Sequence, residues 1–325
     1  MDPSRLPAYV ERPGGQCHLQ PFACDGTRMF GCFVKGDRAT IQRTLVDPCL
    51  NKPRGRSPSY YRVLGDHVMV TFAWIAQGSS TNPRQKNVGW LPEKTLTLWV
   101  PIVVTDSELG LQVAQRLVVF APYIVVDNPW SMTSGREIYG FPKDEGPISI
   151  PRPDEPVRHF SAETLVLKHY DGKEAQDLPI LTMERTAEAG GAAAQVWNTL
   201  EDGMQALVEF LRGLWSPVVP GPHFLEDLLK IVRMWEVPSV YLKQFRAAED
   251  GTRACYQAIV EGPCRVTALN TGGRLGGTWT VHAVDYASHP LVSTLGLPTG
   301  TVPAEFPFWL DFSFEADDAY EVWRA

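Results

Sequence analysis

Thiols and imidazoles are the first side chains in this sequence whose types suggest chemistry. The chain has six cysteines, four of them within its first 49 residues, and no two form a Cys-x-x-Cys pair. The nearest approach to a zinc site is Cys17-His18 with Cys24, but a zinc site needs clustered ligands at short spacings. The chain begins without a charged segment followed by an apolar one, so we expect no secretory signal. Free thiols in a reducing cytoplasm are the prediction, with zinc as the minor alternative.

Three further patterns could do chemistry, and each has a simpler interpretation. The glycine-rich run 271–279 lacks the lysine of a phosphate-binding loop and lies between two predicted strands, so it indicates a hairpin turn or a bulge. His282 and His289 are seven residues apart, and a turn at His289-Pro290 is favoured over a metal site. A hydrolase triad has no support, because the Gly-x-Ser-x-Gly context is missing from each serine that we considered: Ser57, Ser131 and Ser134.

Composition excludes some classes of function. The 325 residues are 44% hydrophobic and 21% charged, which is typical of a globular protein. The net charge of −7 does not favour a nucleic-acid partner, since such proteins are usually basic. The longest apolar runs, 96–104 and 117–126, each contain a proline and fall short of the roughly 18 residues that span a bilayer. We therefore predict a soluble, cytoplasmic protein without membrane or nucleic-acid partners.

The middle of the chain is rich in predicted strands. Residues 67–74, 95–104 and 116–126 are enriched in β-branched and aromatic side chains and are bounded by polar or turn residues. Before them, residues 36–48 have a helical pattern that we expect to end before Pro48. After them, a long connection with turn signals at both ends covers residues 128–146.

A change of pattern follows. From Ala192 to Trp215 the apolar residues recur at intervals of three and four, which indicates an amphipathic helix. A proline-rich break at 216–222 precedes a second predicted helix that ends before Pro238. Strand patterns then resume. The chain is therefore predicted to be a β-rich fold interrupted by a helical pair, not a series of alternating strands and helices.

One segment carries a family likeness. Residues 134–143, SGREIYGFPK, resemble the signature of acetoacetate decarboxylases, in which Gly-Arg-Glu is followed shortly by an aromatic residue, proline and lysine. Residues 29–48 resemble the family's N-terminal strand and helix. The run from Val240 to about Leu297 is similar to its C-terminal strands, with a turn at 287–291. The chain is thus identified as similar to the acetoacetate decarboxylase-like superfamily.

The resemblance implies a fold and an assembly. The expected fold is α+β but mainly β: an acetoacetate decarboxylase-like β-barrel with peripheral helices that encloses the active site. We expect one domain over 1–325, with the helical pair, about 184–236, inserted within it as a cover for the pocket mouth or a subunit interface. The resemblance also implies a homo-oligomer that uses no cofactor and no metal.

Lys143 is the lysine to which the resemblance assigns the Schiff base. A neutral amine that condenses with a ketone gives an iminium, whose positive nitrogen accepts the electrons of a neighbouring carbanion. The amine must be unprotonated, so its pKa must fall from about 10.4 towards neutrality, and burial in an apolar pocket has this effect. We therefore predict that Lys143 lies in a cavity lined by apolar and aromatic side chains. The alternative is a solvated loop lysine.

Two other positions are implied less directly. Family decarboxylases use an arginine near the first strand to receive the substrate carboxylate, and Arg28 is the nearest match, although a surface arginine is the alternative. They also have carboxylates on central strands. The first of these positions falls near Val70, which cannot ionise. The second falls at Glu93 or, in an ungapped comparison, at Thr95, so Glu93 is the candidate acid or base.

The motif supplies the remaining candidates and one departure. Glu137 is a candidate catalytic residue, and Arg136, Tyr139 and Phe141 are candidate substrate-binding residues, although Arg136 and Glu137 could simply brace the loop as a salt bridge. Typical decarboxylases have a second lysine after the first, whereas this chain has Asp144. An ionised carboxylate near the amine would favour the ammonium form, so we predict that Asp144 points away.

The leading hypothesis is a Schiff-base lyase acting on a small keto acid. Decarboxylation of a β-keto acid competes within it with aldol condensation, dehydration or cyclisation, and the absent second lysine favours the aldol-type chemistry. The alternative hypothesis is a non-catalytic barrel that binds a small hydrophobic ligand. Trapping with a keto acid and borohydride separates the two, because an enzyme of this kind alone predicts a stable adduct at one lysine.

Overall fold

Strands dominate the architecture of the chain. The computed structural model describes residues 6–11, 14–55, 57, 59–108, 111–192, 195–197, 219–220 and 236–325. Its strands are β1 (Phe22–Lys35), β2 (Ser59–Val63), β3 (His67–Ser80), β4 (Trp90–Glu108), β5 (Leu111–Val126), β6 (Lys143–Glu145), β7 (Ile148–Ser149), β8 (His159–Val166), β9 (Gln176–Ala192), β10 (Gln195–Trp197), β11 (Val219–Pro220), β12 (Glu236–Arg246), β13 (Ala254–Arg274), β14 (Gly277–Ala283), β15 (Thr301–Pro303), β16 (Glu305–Ala316) and β17 (Tyr320–Arg324). The predicted strands at 67–74, 95–104 and 116–126 fall within β3, β4 and β5.

Helices in the described residues are short. They are α1 (Arg38–Ile41), which continues as a π-helix over Gln42–Asn51 and a 3-10 turn over Lys52–Arg54; α2 (Pro129–Ser134), which continues as a π-helix over Gly135–Tyr139; and α3 (Leu291–Leu295). Within this part of the chain no helix combines the length and the apolar character needed to cross a bilayer.

The sequence predicts that the first helical segment ends before Pro48. In the structure the segment continues to Asn51. Contacts with β2 hold the turn that follows the proline. The Asn51 side chain donates to the Tyr61 carbonyl at 2.9 Å and accepts from the Tyr61 amide at 2.9 Å. These hydrogen bonds between distant segments outweigh the local tendency of proline to end a helix.

A large mixed sheet holds most of the strands. Its order is β11-β5-β12-β13-β16-β1-β3-β4-β2, and β5 also pairs with β4, so the strand order returns to β5. Most neighbours are antiparallel, whereas β6, β11 and β12 pair with β5 in parallel. Because β6 carries Lys143 at its first residue, the pairing with β5 fixes the position of that lysine against the sheet.

A second, five-stranded antiparallel sheet has the order β15-β14-β9-β8-β7 and covers one face of the large sheet. Aromatic side chains join the two. Phe160 of β8 lies 5.0 Å from Phe30 of β1 and 5.4 Å from Phe72 of β3, measured between ring centroids. All of these rings are buried. Side chains that face the second sheet therefore form the core, and the opposite face of the same strands is free to line a cavity.

The predicted helical pair is wrong at its start, where the structure has strands. Residues 184–192 belong to β9, and residues 195–197 form β10, which pairs with β13. The helical pattern predicted Val196 on the apolar stripe, yet Val196 is exposed and Trp197 is buried. Trp197 stacks on Phe306 at 6.3 Å, and this burial of a large ring fixes the strand. The rest of the pair, except β11, lies outside the described residues.

The glycine-rich run 271–279 makes room for β10. An added Cβ at Gly273 would lie 1.9 Å from the carbonyl oxygen of Gln195, so no side chain fits there. The run contains a register irregularity near Thr271 and then carries the chain from β13 to β14, which lie in different sheets. The predicted bulge is therefore present, but the run is not a hairpin turn.

Candidate active site

A cavity of about 370 Å³ lies against the large sheet, on the face away from the second sheet. Strands β1, β3, β4, β5, β12, β13 and β16 contribute to its wall, together with α2 and β6. Most of the wall is apolar or aromatic, and it includes Met29, Met69, Ile75, Trp99, Trp130 and Tyr241. An apolar wall lowers the local dielectric constant, so a polar group that projects into the cavity interacts strongly with the other polar groups present.

Lys143 projects into this cavity. Its amino group donates to the Ser131 hydroxyl at 2.5 Å and lies 3.5 Å from a carboxylate oxygen of Glu93. The Phe141 ring centroid is 5.7 Å from the same nitrogen. The side chain is 12% exposed. The predicted location in an apolar and aromatic cavity is confirmed, and the role of Lys143 as a nucleophile stays a prediction.

Two glycines of the motif are explained by the space around them. Gly135 packs on the lysine, since an added Cβ would lie 2.9 Å from Cδ and 3.0 Å from Cε of Lys143. Gly140 ends the helical segment in the left-handed region with φ of 75°, which favours glycine. An added Cβ there would lie 2.6 Å from the Cα atom of Lys243. The motif therefore encodes close packing around the lysine.

Asn128 places Ser131 beside the amine. Its side-chain oxygen caps the start of α2 by accepting from the amides of Trp130 at 2.9 Å and Ser131 at 3.3 Å. Its side-chain nitrogen donates to the carbonyl of Pro92 at 2.9 Å. Asn128 thus joins the first turn of α2 to the residue before Glu93, and both polar neighbours of Lys143 are held by one amide side chain.

Alternation along β4 explains why Glu93 lines the cavity. Leu91, Glu93, Thr95, Thr97 and Trp99 are two residues apart and all face it. The intervening leucines face the core between the sheets, as the two-residue period of a strand requires. Glu93 and Thr95, the two candidates from the sequence, therefore both line the cavity. Glu93 supplies the carboxylate next to the amine. The Val70 position is in the core.

Tyr139 and Phe141, predicted to bind substrate, also line the cavity. Their rings stack at 4.8 Å, and Phe141 lies 4.5 Å from the ring of Tyr241. The Tyr139 hydroxyl is engaged elsewhere, since it donates to the carbonyls of Asp317 at 2.7 Å and Ala316 at 3.3 Å. Both side chains therefore offer ring surface to a ligand.

The structure does not bring Arg28, Arg136 or Glu137 to the cavity wall. Arg28 lies on the other side of β1 from Met29 and faces Asp311 at 3.5 Å. Arg136 is exposed. Glu137 accepts from the Tyr9 hydroxyl at 3.4 Å, and no salt bridge joins it to Arg136 within the described residues. The expectation that these three residues face substrate is corrected by their placement.

Asp144 is directed away from the lysine amine, as predicted. Successive side chains of β6 point to opposite faces, so Lys143 enters the cavity while Asp144 meets His289. An Asp144 carboxylate oxygen is 3.4 Å from Nε2 of His289, whose Nδ1 is 2.9 Å from the Ser288 hydroxyl. The residue that departs from the decarboxylase pattern therefore belongs to a separate polar contact.

Sequence reasoning did not place His18, Cys24 or Ser131 in the cavity, which all three line. His18 is 7% exposed, and burial lowers the pKa of its imidazole. Cys24 lies deep in the protein with part of its surface towards the cavity, and burial, with a smaller effect of Glu93, raises the pKa of its thiol well above the usual range. These two side chains are thus neutral at physiological pH.

Within the described residues no three histidine, cysteine, aspartate or glutamate side chains are grouped to hold a metal ion. The six cysteines are all described, and none forms a disulfide, as predicted.

Comparison with known proteins supports the fold. A scan against protein-family models finds no match, and no curated protein matches in sequence. Among solved structures, acetoacetate decarboxylase from Legionella pneumophila is similar over 98% of this chain and 93% of its own, with a TM-score of 0.58 and 12% identity. An acetoacetate decarboxylase-like enzyme from Sphingomonas wittichii RW1 is similar over 98% and 99%, with a TM-score of 0.51 and 13% identity.

The enduracididine biosynthesis enzyme MppR is also similar. It matches over 95% of this chain and 90% of its own, with a TM-score of 0.55 and 11% identity. MppR has been solved with pyruvate and with the condensation product of pyruvate and imidazole 4-carboxaldehyde. At these identities the comparisons establish the fold, which is mainly β and is that of acetoacetate decarboxylase and the enzymes similar to it.

Proposed function

We propose that this protein is a cofactor-independent lyase that forms a Schiff base between Lys143 and a small keto acid. The observation that carries the proposal is the lysine amine in an apolar and aromatic cavity, 3.5 Å from the carboxylate of Glu93. An apolar surrounding disfavours charge on an amine, and a neighbouring carboxylate can exchange protons with the reacting groups. The similar fold of enzymes that include acetoacetate decarboxylase supports the same proposal.

The first steps are common to all reactions of this kind. The nitrogen lone pair of Lys143 attacks the carbonyl carbon, and the oxygen takes up protons and leaves as water. The resulting iminium accepts an electron pair from the neighbouring carbon. The Glu93 carboxylate is placed to take a proton from the nitrogen after its attack and to give that proton to the departing oxygen. The Ser131 hydroxyl, 2.5 Å from the nitrogen, orients the amine.

Of the two chemistries open to that iminium, we propose the aldol type. In decarboxylation a β-keto acid loses carbon dioxide, and the electrons of the broken bond move to the nitrogen. In aldol chemistry Glu93 removes a proton from the carbon next to the iminium, and the enamine attacks an aldehyde. The chain has Asp144 in place of the second lysine, and its cavity of about 370 Å³ leaves space beside a small keto acid for a second reactant. The condensation product bound to MppR is consistent with this choice.

A binding protein without catalysis is the alternative, and the mainly apolar wall favours it. Incubation with pyruvate or acetoacetate and sodium borohydride, followed by peptide mass spectrometry, separates the two functions. An enzyme gives a stable adduct on Lys143 that is lost in Lys143→Ala, with turnover below about a tenth of the parent. An unmodified protein, or adducts spread over surface lysines, contradicts the proposal. Release of carbon dioxide from acetoacetate then distinguishes decarboxylation from consumption of an added aldehyde.

We also propose that the large sheet closes into a barrel. The pairing of β5 with both β4 and β12 supports this closure. A single domain, a homo-oligomer and a cytoplasmic location stay predictions.

A further inference from the structure

We infer that His18 is the residue that binds the carboxylate of the keto acid, in the place expected for Arg28. The inference rests on the proposed function, because it assumes a carbonyl compound bound at Lys143. His18 lies in the segment that precedes β1, and its side chain lines the same cavity as Lys143.

The cavity provides few charged partners for a carboxylate. Among the described residues that line it, Lys143 and Glu93 are the charged side chains. Once the lysine nitrogen is bonded to the substrate it is held at the carbonyl carbon, and Glu93 repels a second carboxylate. A buried carboxylate without a hydrogen-bond donor is strongly unfavourable. A keto acid therefore needs a further donor in the wall.

His18 has an unused donor. Within the described residues neither imidazole nitrogen has a hydrogen-bond partner, although the residue is buried. A neutral imidazole always carries one N–H group, and it becomes a double donor when a carboxylate stabilises its protonated form. The ring packs edge-on against Trp130 with 5.0 Å between centroids, which fixes its orientation.

The backbone around His18 is held in place. The His18 amide donates to the Ser134 hydroxyl at 2.9 Å, and the Leu19 amide donates to the Gln85 side chain at 2.6 Å. The Ser80 hydroxyl donates to the Leu19 carbonyl at 2.5 Å. A binding group fixed before the ligand arrives loses little entropy when it binds.

The helix α2 links His18 to the lysine. Ser134 holds the His18 backbone, and Ser131, one turn earlier on the same helix, contacts the Lys143 amine. Residues three apart on a helix are neighbours on its surface. The His18 backbone and the Lys143 amine therefore both contact α2, and both side chains line the same cavity.

Pyruvate and acetone provide the test, because they differ only by a carboxylate in place of a methyl group. The rate of borohydride-trapped adduct formation at Lys143 is measured with each. In His18→Phe, which keeps an aromatic ring against Trp130, the rate with pyruvate falls about 10- to 100-fold, the range for a lost hydrogen bond to a charged group. The rate with acetone changes less than about twofold, which also shows that the variant is folded. His18→Gln, which restores an N–H donor, recovers most of the rate with pyruvate.

Arg28→Gln is the matched control, and both of its rates stay at the parent values. Selective loss of the reaction with pyruvate in Arg28→Gln, or equal loss with both ketones in His18→Phe, overturns the inference. If the parent protein forms an adduct with both ketones and His18→Phe keeps both rates, the proposed function survives and the role of His18 is refuted. If the parent protein forms no adduct with either ketone, the proposed function fails and the inference fails with it.

Discussion

The amine of Lys143 and the carboxylate of Glu93 lie 3.5 Å apart in the cavity, although 50 residues separate them in the sequence. Both side chains are largely buried, at 12% and 15% exposure. The separation is too long for a strong direct hydrogen bond, while Ser131 contacts the amine more closely. Glu93 is therefore close enough to exchange a proton with the lysine nitrogen or with a substrate atom bonded to it.

Glu93→Gln should separate Schiff-base formation from turnover. The amide keeps the shape of the side chain but cannot exchange a proton as a carboxylate does, so turnover should fall about 10²- to 10⁴-fold. Borohydride should still trap an adduct on Lys143, but more slowly than in the parent, because the departing oxygen then has to take its proton from water. Glu137→Gln is the matched control, since Glu137 lies outside the cavity wall beside Tyr9, and it should keep most of the turnover. Equal losses in the two variants would contradict the role of Glu93.

Asp144→Asn should leave the pH–rate profile unchanged. The Asp144 carboxylate faces His289 at 3.4 Å and is 43% exposed, so water screens its charge from the cavity. The measurement is turnover against pH for the parent and the variant. A shift of the variant profile to the acid side would show that the carboxylate favours the ammonium form of Lys143 and that its orientation differs in solution.

The sequence motif located Lys143 and its aromatic neighbours because these residues are close in the chain. Residues 134–143 turn through α2 and its π-helical extension, so their contacts are local. Glu93 was implied by the family's carboxylate on a central strand, with Thr95 as the other register, and the two positions share a face because they are two residues apart on a strand. His18 and Ser131 could not be found in this way. His18 approaches from before β1, and the Ser131 contact depends on the end of α2 next to β4, which Asn128 fixes.

Arg28 shows how one inserted residue reverses a prediction. Phe22 and Cys24 line the cavity, and strict alternation would bring Arg28 to the same face. However, Cys24 pairs with Phe314 and Thr27 with Phe312, so β1 gains one residue relative to β16 between these pairs. Such a bulge exchanges the two faces of the strand beyond it. Met29 therefore lines the cavity and Arg28 does not. Gly26 lies within the bulge with φ of 63°, and a glycine in this left-handed region is the local signal for such a bulge.

Acid should destabilise the protein partly through His18. Burial lowers the pKa of this imidazole below its usual value of about 6.5, so the folded state binds a proton less readily than the unfolded state. The neutral imidazole of His18 therefore contributes to the stability of the folded state above about pH 6.5. This contribution is lost as the pH falls through the pKa of His18 in the folded state. Urea unfolding of the parent protein and His18→Phe, each at neutral and acid pH, isolates the effect because the carboxylates are common to both. The parent should lose more stability on acidification than the variant, and an equal loss would contradict the prediction.

Gly135→Ala should impair catalysis with little effect on stability. Gly135 has helical dihedral angles, with φ of −63°, so alanine is allowed and gains up to about 1 kcal/mol of helix propensity. Its Cβ would lie 2.9 Å from Cδ and 3.0 Å from Cε of Lys143, and 3.1 Å from a ring carbon of Phe141. The flexible end of the lysine has to move, which displaces the amine from Ser131 and Glu93. A displacement of about 1 Å can cost on the order of 10²-fold in rate.

Gly251→Ala is the matched control, since an added Cβ there meets nothing within 4 Å. We expect Gly135→Ala to lose at least about tenfold in the rate of adduct formation while its urea midpoint stays close to that of Gly251→Ala. Full activity in Gly135→Ala would show that the contact does not position the amine, and a large loss of stability would show that the contact belongs to the core.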